Sequence, residues 1–237
     1  MYSFLWLWVP LFLLFDCSLG NTEIINFLAV EDSSADLPFT HAWPILRPGA
    51  SNIQFNATSA KLGSDLPQKI CPNLNEWHPE RPDLCPHELW VVLELDGIEW
   101  KNFNKFTLRA SWPAFHPTDI SMKIYNPGSL GAFATRDPGI TLSKTRRKYA
   151  RIQMVHAGVL TPAANNVGDD ASRYLVSIYL VLEPLYFGVL PSSVIPVLFA
   201  IVAAIVIGLP IAWKINTYFQ SIVQKAKMPE HLKQKYM

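Results

Sequence analysis

A chain of 237 residues that is half hydrophobic, with 20 basic and 19 acidic side chains and a net charge of +1, has too little basic excess to suggest a nucleic-acid partner. Its apolar residues gather in two blocks at opposite ends, and both must be set aside before a fold is read.

The first block, Phe4 to Phe15, carries no charge, is too short to cross a bilayer comfortably, and leads into the small residues Ser18 and Gly20. This pattern predicts a signal peptide over residues 1–20 and a mature chain that begins at Asn21. No Lys or Arg precedes Phe4, so the amino terminus must supply the positive charge of the signal; a retained signal anchor is the alternative.

Residues 21–185 then form one expected lumenal domain, large enough to bury its own core. Two strands are expected early, at Glu23–Val30 and Asn52–Phe55. They are followed by Asn56-Ala57-Thr58, an N-glycosylation sequon that marks an exposed segment. Cys17 leaves with the signal peptide, so the three cysteines reduce to the pair Cys71 and Cys85. In an oxidising compartment these predict a disulfide across a Pro-rich loop, worth about 3 kcal/mol for a loop of ~15 residues. Free thiols are the alternative; zinc held with the nearby His78 and His87 fits less well, because the cysteines lack the close spacing of a structural site.

From Leu89 onward apolar residues alternate with polar ones, and runs rich in β-branched and aromatic side chains are bounded by Pro, Gly, Asn and Asp. Strands are expected at Leu89–Leu95, Phe106–Trp112, Ile120–Tyr125, Ala150–Leu160 and Tyr174–Leu182. In the last, Val176, Ile178, Leu180 and Leu182 make one apolar face, as a strand packed on a second sheet requires. About seven short strands with no evident helical period predict a mainly β fold, an antiparallel β-sandwich-like lumenal domain.

Chemistry is sparse. The chain has no Gly-x-Ser-x-Gly, phosphate-cradling glycine loop, His-Glu-x-x-His or Cys-x-x-Cys. Glu94 and Asp96 have the spacing of a metal-binding carboxylate pair but read better as a solvated strand end, and Asp169-Asp170 as a turn. A cluster of five cations, Lys144, Arg146, Arg147, Lys148 and Arg151, has the chemistry to hold a lipid-linked phosphate. The alternative is a solvated loop that guards an edge strand.

The second apolar block is uncharged from Leu185 to Trp213, and its core from Val194 to Trp213 is about 30 Å long as a helix. Residues 186–213 are therefore expected to cross a membrane. Ala200, Ala204 and Gly208 recur at four-residue spacing and offer a stripe for another helix to approach. Beyond Trp213, Ile215, Tyr218, Phe219, Ile222 and Val223 keep helical spacing, so the helix is expected to continue as an amphipathic segment. Residues 214–237 form a basic tail in which Lys214, Lys225, Lys227, Lys233 and Lys235 face only Glu230, which orients the C-terminus to the cytosol. A GPI-attachment tail would end at the apolar stretch instead. Lys233 and Lys235 stand third and fifth from the carboxyl end, the register of a dilysine retrieval signal for the endoplasmic reticulum.

The start Asn21-Thr22-Glu23 leading into an apolar strand, the stretch RYLVSIYLVLEPLYFGVLP from Arg173 to Pro191 that enters the membrane segment directly, and the short lysine-bearing tail together carry a resemblance. Nearly end to end, the chain resembles the fungal non-catalytic subunits of GPI mannosyltransferase II, the complex that adds the second mannose to the GPI precursor. The resemblance implies a multi-spanning mannosyltransferase catalytic subunit as partner, in the endoplasmic-reticulum membrane. It implies no catalytic residue, cofactor or small-molecule substrate for this chain. Three other readings stay open. One is the stabilising subunit of GPI mannosyltransferase I; another is a cargo receptor, which would commonly place a coiled coil before its membrane span. The third is an enzyme in its own right, which would need carboxylates or His78, His87, His116 and His156 to converge.

Overall fold

The computed structural model describes residues 20–35, 37–64, 66, 87–134, 140–158 and 174–227. Residues 1–19 of the expected signal peptide, both cysteines of the expected disulfide, Asp169-Asp170 and the lysines of the retrieval signal lie outside them. The chain divides into two compact units, Met1–Val189 and Leu190–Met237.

The first unit is built from strands β1 (Gly20–Leu28), β2 (Asp32–Ala35), β3 (Ile45–Leu46), β4 (Asn52–Thr58), β5 (Glu88–Leu93), β6 (Lys105–Pro113), β7 (Thr118–Tyr125), β8 (Ile140–Thr145), β9 (Lys148–His156) and β10 (Leu175–Tyr186). One antiparallel sheet runs β1, β6, β10, β4. A second runs β3, β5, β9, β7, antiparallel except for the parallel pairing of β3 with β5, and β2 pairs with β8.

Side-chain alternation sets the core. In β10, Val176, Ile178, Leu180 and Leu182 are all at most 1% exposed. Leu180 stands opposite Ala110 and Leu182 opposite Leu108, both fully buried on β6. Each such fully buried Leu or Ile contributes about 1.5–3 kcal/mol. The apolar residues of both sheets join in one core, the arrangement expected of a β-sandwich.

β5 and β9 are buried on both faces. Leu89, Val91, Ala150, Ile152 and Met154 make one face. The other holds Trp90, Tyr149 and the charged pair Glu88 and Arg151, with Trp43 stacked on Trp90 at 5.0 Å. Trp43 follows a short 3-10 segment, Pro38–Ala42, which the sequence pattern did not mark.

This domain also holds a helix, α1 (Pro127–Ala134), where the sequence shows no evident helical period. Pro127 at its first position has the φ a helix needs, the Ser129 hydroxyl caps the backbone of Asn126, and only two turns form, too few to show a period. Its Leu130 is fully buried. The chain also stays in β10 through Tyr186, one residue beyond the expected end of the domain.

The second unit is a 3-10 turn, Ser192–Val194, followed by one helix, α2 (Ile195–Lys227). Residues Ser192–Ala226 are long and apolar enough to cross a membrane, with none of the most apolar window buried against protein.

Candidate functional site

The five cations of the basic cluster take up different contacts. Lys144 is exposed on β8. Arg146 sits in the corner between β8 and β9, where its guanidinium donates to the carbonyls of Ala29, Trp100, Lys101 and Phe103 and lies 5.9 Å from the Phe106 ring centre. Arg147 donates through Nε to the Glu94 carboxylate at 2.7 Å. Lys148 is 2% exposed and donates to the Val30 carbonyl at 2.8 Å; burial lowers its pKa, an effect that nearby Asp32 opposes. Arg151, also 2% exposed, pairs with Glu88 and lies 5.6 Å from the Trp90 ring centre.

Four of the five cations are thus engaged with acceptors of the domain, Arg146 and Lys148 on the adjacent carbonyls of Ala29 and Val30. The edge-guard alternative fits Lys148 and Arg151 no better, because β9 lies between β5 and β7 rather than at an edge. Glu94 and Asp96 follow the end of β5, Asp96 exposed and Glu94 half-buried, and both are hydrogen-bonded. Asp96 accepts from the Thr145 hydroxyl at 2.5 Å and from the Arg146 backbone N–H at 3.0 Å, so the two carboxylates clamp the β8–β9 corner.

Among the described carboxylates, Glu88 is buried, at 7% exposed. It accepts from Arg151, from the Trp90 indole N–H at 2.5 Å and from the Gln153 amide at 3.2 Å. A carboxylate so fully satisfied is held for structure, since general acid–base work needs an oxygen within reach of a substrate. Of the four histidines considered, His78 lies outside the described residues, and the other three make different contacts: His87 Nδ1 lies 2.8 Å from the Thr58 carbonyl, His156 packs on Tyr174, and His116 lies beside Phe115 in the β6–β7 turn. Among the described residues no group of three His, Cys, Asp or Glu side chains is placed to hold a metal.

Surfaces offer more than clefts. Asn56 is exposed on the outward side of β4, which pairs with β10 along one flank, so its amide is open to a modifying enzyme. On α2, Ala200, Ala204 and Gly208 are exposed. At about 100° per residue they share an arc of roughly 100° with Ile211, Ile215, Tyr218 and Ile222. The small-residue stripe therefore runs unbroken into the apolar stripe beyond Trp213, and Lys214, Thr217, Ser221 and Lys225 lie outside it. The helix was expected to continue beyond Trp213, and α2 does run unbroken from Ile195 to Lys227.

No protein-family model matches the chain, and no solved structure matches it. A curated protein does: over 211 residues the chain is 26% identical to a GPI mannosyltransferase 2 subunit of Schizosaccharomyces pombe, covering 88% of this chain and 93% of that protein. A mainly β domain followed by one apolar helix is thus the layout of a chain similar, almost from end to end, to a subunit of GPI mannosyltransferase 2.

Proposed function

We propose that this chain is a non-catalytic accessory subunit of an endoplasmic-reticulum GPI mannosyltransferase, and that it stabilises or orients the multi-spanning catalytic subunit that adds the second mannose to the GPI precursor. The observation that carries this reading is the similarity to the fission-yeast subunit over nearly the full length of both chains. The geometry supports it: Arg146, Arg147, Lys148 and Arg151 are committed to partners within the β domain, and the α2 stripe suits packing against another membrane helix.

In this reading the β domain is lumenal and the C-terminus cytosolic, the Cys71–Cys85 disulfide closes the Pro-rich loop, Asn56 carries a glycan, and Lys233 with Lys235 return the chain to the endoplasmic reticulum. The basic cluster serves as internal framework rather than as a phosphate cradle. Mild-detergent affinity purification of the full chain tests the assembly: recovery of one multi-spanning mannosyltransferase is expected, and its absence from an intact preparation contradicts the reading. Topology has its own readout, because a lumenal Asn56 gives an endoglycosidase H shift that Asn56→Gln abolishes.

A further inference from the structure

Strand pairing gathers an exposed apolar rim at one end of the first sheet. Leu28 at the end of β1 stands opposite Lys105 at the start of β6, and Pro184 near the end of β10 stands opposite Phe106. At that same end Leu28, Val30, Ile98, Phe187 and Val189 are 53%, 60%, 91%, 93% and 72% exposed. Large apolar side chains this exposed, and grouped rather than scattered, mark a contact surface.

The rim is held in shape. Phe187 has a positive φ of 52° and Gly188 one of 72°, so the chain turns sharply and presents the Phe187 ring outward. Tyr186 packs edge-on against Phe103 at 5.0 Å, and the Lys105 side chain lies so close to Gly188 that a Cβ there would sit 3.2 Å from its Cδ. Arg146 fixes the facing loop through the Trp100, Lys101 and Phe103 carbonyls.

The chain itself identifies what covers the rim. The apolar helix begins at Ser192, five residues after Phe187, a reach of at most about 18 Å. The polar layer of a bilayer adds about 5–7 Å on each side of the hydrocarbon, so the tether holds Phe187 near that layer. Aromatic rings beside lysine and amide groups are the chemistry of membrane–water interfaces. We propose that this rim, with Phe187 at its tip, inserts shallowly into the lipid surface that α2 enters and seats the β domain on the membrane. The proposal rests on α2 spanning the bilayer and is independent of any mannosyltransferase.

The test uses the full chain in phosphatidylcholine nanodiscs, with a nitroxide attached through p-acetylphenylalanine at position 187 or, as an independent site, 189. Position 199 within α2 and position 115, at the far end of β6, serve as references. Phe115 is 77% exposed and separated from the rim by the length of β6, Lys105–Pro113. The labels at 187 and 189 are expected to lose collisions with an aqueous nickel chelate and gain collisions with oxygen relative to 115, at a shallower depth than 199. Accessibility at 187 and 189 equal to that at 115, or shielding from both quenchers, overturns the proposal. An aqueous label at 199 would instead show that α2 does not span, and the proposal would fall with that premise.

Discussion

Arg151 has left water almost completely, and only its neighbours offset that cost. Burying an ion pair is often near neutral overall, but removing one partner strands the other at about 3–5 kcal/mol. Arg151→Ala, which leaves Glu88 buried beside Trp90, is therefore expected to lower stability by that amount in denaturant unfolding of the full chain. Lys144→Ala, on an exposed side chain of the same cluster, should stay within about 0.5 kcal/mol. Equal small effects would show that the buried pair is not formed. The contrast also means that replacing all five cations together would measure folding rather than phosphate binding. The sequence displayed the charge density but not its purpose, because the acceptors are remote: Glu88 lies 63 residues from Arg151, and Asp96 lies 50 from Arg146. Only the pairing of β5 with β9 and the corner after β8 bring them together.

The strands were legible where one face is apolar and the run is long, as in β6 and β10, because period-two alternation survives in the sequence when only one face is buried. β5 and β9 could be found by their β-branched and aromatic content, but not the fact that both of their faces are covered. β2, β3 and α1 escaped because a segment of two, four or eight residues is too short to show a period. The stop of the first unit was blurred for a different reason: β10 and the membrane segment are both apolar, and no charge separates Leu185 from Trp213. Among elements, α2 makes the sharpest prediction. Its 33 residues span about 50 Å, more than the ~30 Å of hydrocarbon, so its last turns stand outside the apolar layer. If a partner helix packs along the stripe, Gly208→Leu should weaken recovery of that partner by about tenfold, a loss of about 1.4 kcal/mol. Val206→Leu, on the opposite face, should leave recovery unchanged. Equal recovery with both variants would show that the stripe faces lipid.

At the scale of the molecule, the two units divide the work. The β domain holds Glu88, Lys148 and Arg151 buried on partners of its own, and the helix is long and apolar enough to cross a membrane. What the sequence did not carry is the identity of the surfaces, because a rim such as Leu28, Ile98 and Phe187 is assembled from segments that meet only at one end of a sheet. Whether the chain serves transfer of the second mannose is read from the mass of the GPI precursors that build up when it is depleted. A precursor bearing one mannose is expected; accumulation of an unmannosylated precursor, or a normal precursor profile, would contradict that role.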